Sequence, residues 1–229
     1  MTQPSPEEIG AGHAFYTKRS LAVYDLAILG FFSRVAWRCS ARRILDHYNA
    51  HVSANHLDVG VGTGYFLDRC TYPVVPPRLA LMDLNTACLD VAGGRVARFR
   101  PERYVANVLE PLAVDAEGFD SIGLNYLLHC VPGSIRTKAV VFEHMKALAH
   151  PGATVFGATL LHGGVRRNRM ARQVMARNNR HGIFSNADDD LEGLEWALAQ
   201  HLTDVGVSVV GCVGLFSGRV PDLTNGDER

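Results

Sequence analysis

Residues 55–64, Asn55-His56-Leu57-Asp58-Val59-Gly60-Val61-Gly62-Thr63-Gly64, carry the densest chemical information in the chain. His56 to Val59 read as the end of a buried strand, and Tyr65-Phe66-Leu67 opens a helix-like run. Between them, three glycines alternate with small residues. A strand that turns through such glycines into a helix offers bare backbone N–H groups to a ligand, because no Cβ stands in the way. The dinucleotide fingerprint G-x-G-x-x-G does this around a pyrophosphate. Here the third glycine comes one residue early, and Asp58 stands two residues before the first. A carboxylate at that point repels a pyrophosphate and suits a ligand that carries an ammonium group. Downstream, Asp83 ends a second strand, where a carboxylate can accept both hydroxyls of a ribose. The plainer reading of Asp83 is a surface aspartate capping the helix that opens at Asn85.

The glycine segment resembles motif I of the class I S-adenosylmethionine-dependent methyltransferases, whose ligand has an amino-acid end and no phosphates. The resemblance covers residues 55–220 and implies S-adenosylmethionine as cofactor. It places Asp58, Gly60, Gly62 and Gly64 around that cofactor, Asp83 on its ribose and Leu84 against its adenine. Asn107 stands where many members have an aspartate that receives the adenine amino group. Asparagine can still accept there and also donate, or it can serve as a turn residue. Residues 119–130, Phe-Asp-Ser-Ile-Gly-Leu-Asn-Tyr-Leu-Leu-His-Cys, cover a fourth strand and its exit. In this fold that exit faces the transferable methyl, which puts Asn125 at the cofactor. The segment lacks the prolines of the [D/N]-P-P-[F/Y] enzymes and the metal-holding aspartates of the catechol type. The resemblance therefore implies a small-molecule acceptor, such as a natural product or other secondary metabolite, with no metal and no nucleic acid.

Three residues are candidates for the chemistry itself. His129 is placed to act as a general base, or else is a half-buried histidine bonded to a neighbouring loop. His162, at the exit of the fifth strand, has the same two readings. Tyr16 lies among N-terminal aromatics that include Tyr24 and Trp37, as part of a lid over the sulfonium or as core packing. The reaction implied is in-line displacement, driven chiefly by proximity and orientation. Two alternatives remain. A nicotinamide-dependent Rossmann enzyme is disfavoured by Asp58 and the early glycine, and a methyltransferase-like protein could bind the cofactor without transferring methyl.

These residues need a parallel sheet with helices on both faces to hold them. From residue 55 the pattern alternates strand and helix. Strands are expected near 55–60, 78–83, 103–108, 119–125 and 153–161, with a final hairpin at 207–213 and 214–220. Helices fall near 64–70, 85–99 and 133–149, and another starts at about Asn186, capped by Asp188-Asp189-Asp190. The expected fold is α/β: a Rossmann-like, seven-stranded, mostly parallel sheet whose last strand is antiparallel. Residues 1–54 form an N-terminal helical lid, with helical stretches at 19–37 and 39–50. Residues 55–220 form the core, with an insert at 162–185, and residues 221–229 form a tail. The stretch 166–180 of the insert holds six arginines on a helical pattern, readable as a solvated face, an anion clamp or a lipid contact.

Composition narrows the remaining classes. Lys+Arg and Asp+Glu both number 23 in 229 residues, so no global charge draws the chain to nucleic acid. Five cysteines without a C-x-x-C pair read as reduced thiols in a cytoplasmic protein. The first residues, Met1-Thr2-Gln3-Pro4, show no basic segment of a secretory signal. Leu21 to Trp37 is apolar, but Asp25, Ser33 and Arg34 interrupt it short of the ~20 residues of a membrane span. His47 and His51 lie four apart without a carboxylate or cysteine at zinc spacing, and His56 falls on a strand. Homodimerisation is left open.

Overall fold

The computed structural model describes residues 30, 32–111 and 118–222. Seven strands form one sheet: β1 (Asn55–Val59), β2 (Arg78–Asp83), β3 (Glu102–Val105), β4 (Phe119–Asn125), β5 (Ala149–Leu160), β6 (Thr203–Val210) and β7 (Val213–Arg219). Their order is β3-β2-β1-β4-β5-β7-β6. The first five strands pair in parallel, and β7 runs antiparallel to both β5 and β6. This is the expected sheet, with its inverted strand lying between β5 and β6.

Strand alternation sorts the side chains into two cores. Leu57, Val59, Ile122 and Leu124 face one side, beneath α4 (Val140–Ala147) and α6 (Leu191–Ala199). Leu79, Leu81 and Phe156 face the other, beneath α1 (Ala41–His51), α2 (Tyr65–Arg69) and α3 (Thr86–Arg95). Ser40 caps α1 by accepting from the Arg43 amide, and the helix buries Ile44 and Tyr48 against the sheet. A single helical turn, Ser33–Val35, precedes it. The insert contributes α5 (Arg169–Arg180), which buries Ala171 and Met175 and leaves Arg169, Arg172, Arg177 and Arg180 exposed. Its cap, Asn168, also donates to the Val35 carbonyl at 2.8 Å, tying the insert to the chain ahead of α1. Among the described residues, no helix is long and apolar enough to cross a membrane.

β5 begins at Ala149 and β6 at Thr203, each four residues ahead of the sequence reading, the helix expected over 85–99 ends at Arg95, and three further boundaries differ for a local reason. β3 stops at Val105 rather than 108, because Asn107 folds a turn in which its Oδ1 accepts from the Leu109 amide at 3.1 Å. The helix expected over 133–149 is a 3₁₀ turn, Thr137–Ala139, followed by α4. Lys138 of that turn is wholly buried and reaches across to Asp189 at 2.6 Å. That pairing removes Asp189 from the expected cap, so α6 begins at Leu191 with Asp190 alone accepting from the Gly193 amide.

Candidate active site

The carboxyl ends of β1, β2 and β4 frame a cavity at the point where the sheet's connections diverge, the usual ligand crevice of an open α/β sheet. Asp58, Gly60, Gly62, Gly64, Asp83, Leu84, Asn107 and Asn125 all line it. The structure thus brings every proposed cofactor residue to one place. Tyr16 lies outside the described residues.

The three glycines turn the chain in left-handed conformations, with φ of +73°, +49° and +70°. They have different neighbours. A Cβ on Gly60 would press on Leu127 at 2.8 Å, and one on Gly64 would meet Ala92 of α3 at 3.1 Å. A Cβ on Gly62 would meet nothing within 4 Å, because that residue faces the open cavity. Gly60 and Gly64 let protein approach protein, whereas Gly62 leaves room for a ligand. Arg95 of α3 donates to the Thr63 hydroxyl at 3.2 Å and anchors the loop from outside.

Both acids stand on the cavity wall. Asp58 is buried, and its Oδ2 accepts from the Tyr48 hydroxyl at 2.7 Å. Asp83 accepts from the Asn85 amide at 2.8 Å, while Asn85 itself caps α3 by accepting from the Ala87 amide. Burial pushes the Asp83 carboxyl up to about 6, against the lowering effect of the Asn85, Gly62 and Val61 amides. Asn107 lines the cavity, but its side chain is engaged locally with Leu109 and with Glu110, to which Nδ2 donates at 2.7 Å. That is the turn use weighed beside adenine recognition.

At the exit of β4 Asn125 is 8% exposed, and both its Oδ1 and Nδ2 are buried without a hydrogen-bond partner. Buried polar atoms without partners are rare, and among the described residues the others are Thr159 Oγ1 and Asp189 Oδ1, away from the cavity lining. Tyr126 follows with φ +59°, uncommon for a side chain of this size, and its amide donates to the Ala158 carbonyl at 2.7 Å. Leu127, Cys130, Val131 and Pro132 beyond the turn line the cavity, while Leu128 and His129 of the 3₁₀ turn between them do not.

Of its two readings, His129 takes the packed one, buried against a neighbouring loop rather than turned to the cavity. It is 3% exposed, absent from the described cavity lining, and set edge-on to Phe184 and Tyr126. Its Nδ1 accepts a long bond of 3.5 Å from the Leu160 amide. Burial, with a smaller contribution from Lys138, pushes the imidazole down to about 3, so it stays neutral and is a poor proton acceptor. His162 is likewise absent from that lining, its amide bonded to the Asp189 carbonyl at 2.7 Å. Sequence reasoning also missed Tyr126 and Leu127, whose roles depend on one left-handed turn. It missed the partners of Asp58 as well. The available signal was His56, two residues from Asp58 and hence on the same strand face, a polar pair that burial obliges to find partners.

Comparisons with known proteins agree with this geometry. The family described as a methyltransferase domain matches residues 36–201. The chain is 40% identical over 216 residues to a demethylluteothin O-methyltransferase of Streptomyces thioluteus, covering 94% of each chain. It is 37% identical over 225 residues to a physcion biosynthesis cluster O-methyltransferase of Aspergillus chevalieri, covering 97% of this chain and 100% of that one. Among solved structures, the DhpI–SAH complex superposes with a TM-score of 0.69 at 15% identity, covering 96% of this chain and 100% of the other.

Proposed function

The chain belongs to the class I S-adenosylmethionine-dependent methyltransferases and transfers methyl to a small-molecule acceptor, and on that premise we propose which of its residues do the work. The cavity fits the cofactor on its own evidence. Gly62 presents backbone to open space, Asp58 and Asp83 stand on the wall, and the Asn125 amide is unpartnered. The Gly62 observation carries the reading, because a left-handed glycine on the cavity with nothing within 4 Å of its Cβ position leaves backbone free to meet a ligand.

In this reading Asp83 accepts the ribose hydroxyls, Leu84 packs on adenine and Asp58 faces the ammonium end. Asn125 holds the cofactor beside the acceptor. S-adenosylmethionine supplies a methyl group made electrophilic by its sulfonium. The protein's contribution is alignment, since holding reacting atoms about 3–3.5 Å apart in line removes most of the barrier that orientation imposes. We take the acceptor atom to be an oxygen of a secondary metabolite, the two relatives cited above being named O-methyltransferases.

The test is calorimetry of S-adenosylhomocysteine binding across pH. Above about 6 Asp83 is a carboxylate and accepts; below it the group is protonated and loses that capacity. Affinity should fall about tenfold as pH drops from roughly 7.5 to 5, and Asp83→Asn should abolish that dependence. Asp83→Ala should weaken binding by roughly 1.5–3 kcal/mol. A folded Asp83→Ala variant with unchanged affinity would refute the ribose assignment. Transfer of labelled methyl across a panel of hydroxylated metabolites would identify the acceptor.

A further inference from the structure

Behind Asp58 a chain of hydrogen bonds runs through the interior, and its protons can be counted from an ionised Asp58 outward. The Tyr48 hydroxyl donates to Asp58 Oδ2, so at its other side, 2.7 Å away, it accepts from His56 Nε2. That ring nitrogen carries a proton. At the far end the Ser53 hydroxyl donates to the Asn55 carbonyl at 2.8 Å. Ser121 then fills the 2.8 Å contact between the two serine hydroxyls with its own proton. With its proton so placed, Ser121 accepts from the Ser53 amide at 2.9 Å and from His56 Nδ1 at 2.8 Å. With Asp58 ionised, each contact holds one proton only when the imidazole holds two.

The surroundings suit such a ring. His56 has no exposure, a costly place for a cation unless an anion is near, and Asp58 Oδ2 lies 3.7 Å from Nε2. Phe156 stacks on the imidazole with centroids 5.8 Å apart, a contact that favours a cation. Gly123 of β4 makes room, since a Cβ there would sit 3.2 Å from the His56 ring and 3.3 Å from Asp58 Oδ2. On the α1 side, His47 and His51 meet the other rings of the cluster and bond the Phe216 and His47 carbonyls. Burial and the Asp58 carboxylate, with Tyr72 and Cys70 adding to them, push the Tyr48 phenol well above its usual range, so it keeps the proton it donates.

We propose that His56 is a positioning residue of the cofactor site: as a buried imidazolium acting through Tyr48, it keeps Asp58 an ionised carboxylate with one oxygen clamped and the other left for the cofactor's ammonium group. The proposal rests on the cofactor reading above and adds a role for residues that line no cavity. It requires the relay to affect the amino-acid end of the ligand and not the adenosine end. Calorimetry with two ligands separates these. S-adenosylhomocysteine carries the ammonium group, whereas 5′-methylthioadenosine lacks the amino-acid end. Tyr48→Phe and His56→Gln should each weaken S-adenosylhomocysteine by about tenfold or more and leave 5′-methylthioadenosine within about twofold. Equal losses on both ligands, or none on either, overturn the proposal. Nitrogen-15 spectra of the ligand-free wild type should show both His56 ring nitrogens protonated near neutral pH, a result that stands whether or not His56→Gln folds. A bare ring nitrogen overturns it. A wild type that binds neither ligand would instead remove the cofactor reading itself.

Discussion

Asp58 and Asp189 are both buried carboxylates linked to a basic partner, one on β1 and the other bonded to the chain just past β5, the two strands that flank β4. Their surroundings part there. Asp58 is held on one oxygen by Tyr48 and stands on a cavity wall. Asp189 meets Lys138 at 2.6 Å with both side chains sealed from solvent, and Lys138 also donates to the Ser185 carbonyl. Burial pushes both members of that pair toward their neutral forms, and their contact opposes it. The same division separates two asparagines. Buried Asn186 donates to the Leu160 carbonyl at 3.0 Å and accepts from Asn179 at 2.8 Å, while the Asn125 amide has no partner. A polar group whose bonds close within the protein fixes the insert in place. On the cavity side the Asn125 amide is left without such bonds.

The largest test of that division is Lys138→Met. It leaves Asp189 buried without its cation, which should cost about 3–5 kcal/mol and lower Tm by about 10 °C. Affinity for S-adenosylhomocysteine, measured on the folded variant, should stay within about twofold of wild type. If affinity collapses with the fold intact, the insert side is coupled to the cofactor side and the division fails.

Gly62→Val should do the reverse. A valine there projects into open cavity, so cofactor affinity should drop by about a hundredfold or more, near 2.7 kcal/mol. Stability should fall less, by about 1–2 kcal/mol, from placing a branched side chain at φ +49°. Differential scanning calorimetry beside ligand titration reads both. Wild-type affinity in this variant would show that Gly62 does not face the ligand.

What the sequence disclosed follows from the range of each interaction. Asp58, Asp83 and the glycines were legible because a strand-turn-helix writes its chemistry in adjacent residues. The sheet and its inverted β7 were legible from alternation and the closing hairpin. Asn107 was half legible, since cavity lining follows from its place after β3 but its side-chain turn depends on Glu110 and Leu109. Pairings across the chain left no local trace. Lys138 finds Asp189 and His56 finds Ser121 only once the sheet has assembled. His129 sits in the 3₁₀ turn Leu128–Cys130, which buries it against Phe184 while Leu127 and Cys130 reach the cavity, an alternation too short to read from the sequence.

His129 carries the smallest expected effect and the sharpest consequence for the division. If it belongs with the closed groups, its ring serves the packing of Tyr126 and Phe184 and the Leu160 amide, and an imidazole pushed down to about 3 takes no proton during turnover. His129→Asn keeps an acceptor in a smaller side chain. It should lower kcat by less than about tenfold, a loss of positioning alone. The pH–rate profile should keep whatever acidic limb the wild type shows, because no group titrating near neutrality has been removed. A general base would behave otherwise: its loss lowers kcat by about 10²–10⁴ and erases that limb. Finding that pattern would mean the acceptor reaches past Tyr126 to the imidazole, and His129 would join Asn125 among the groups left open for a ligand.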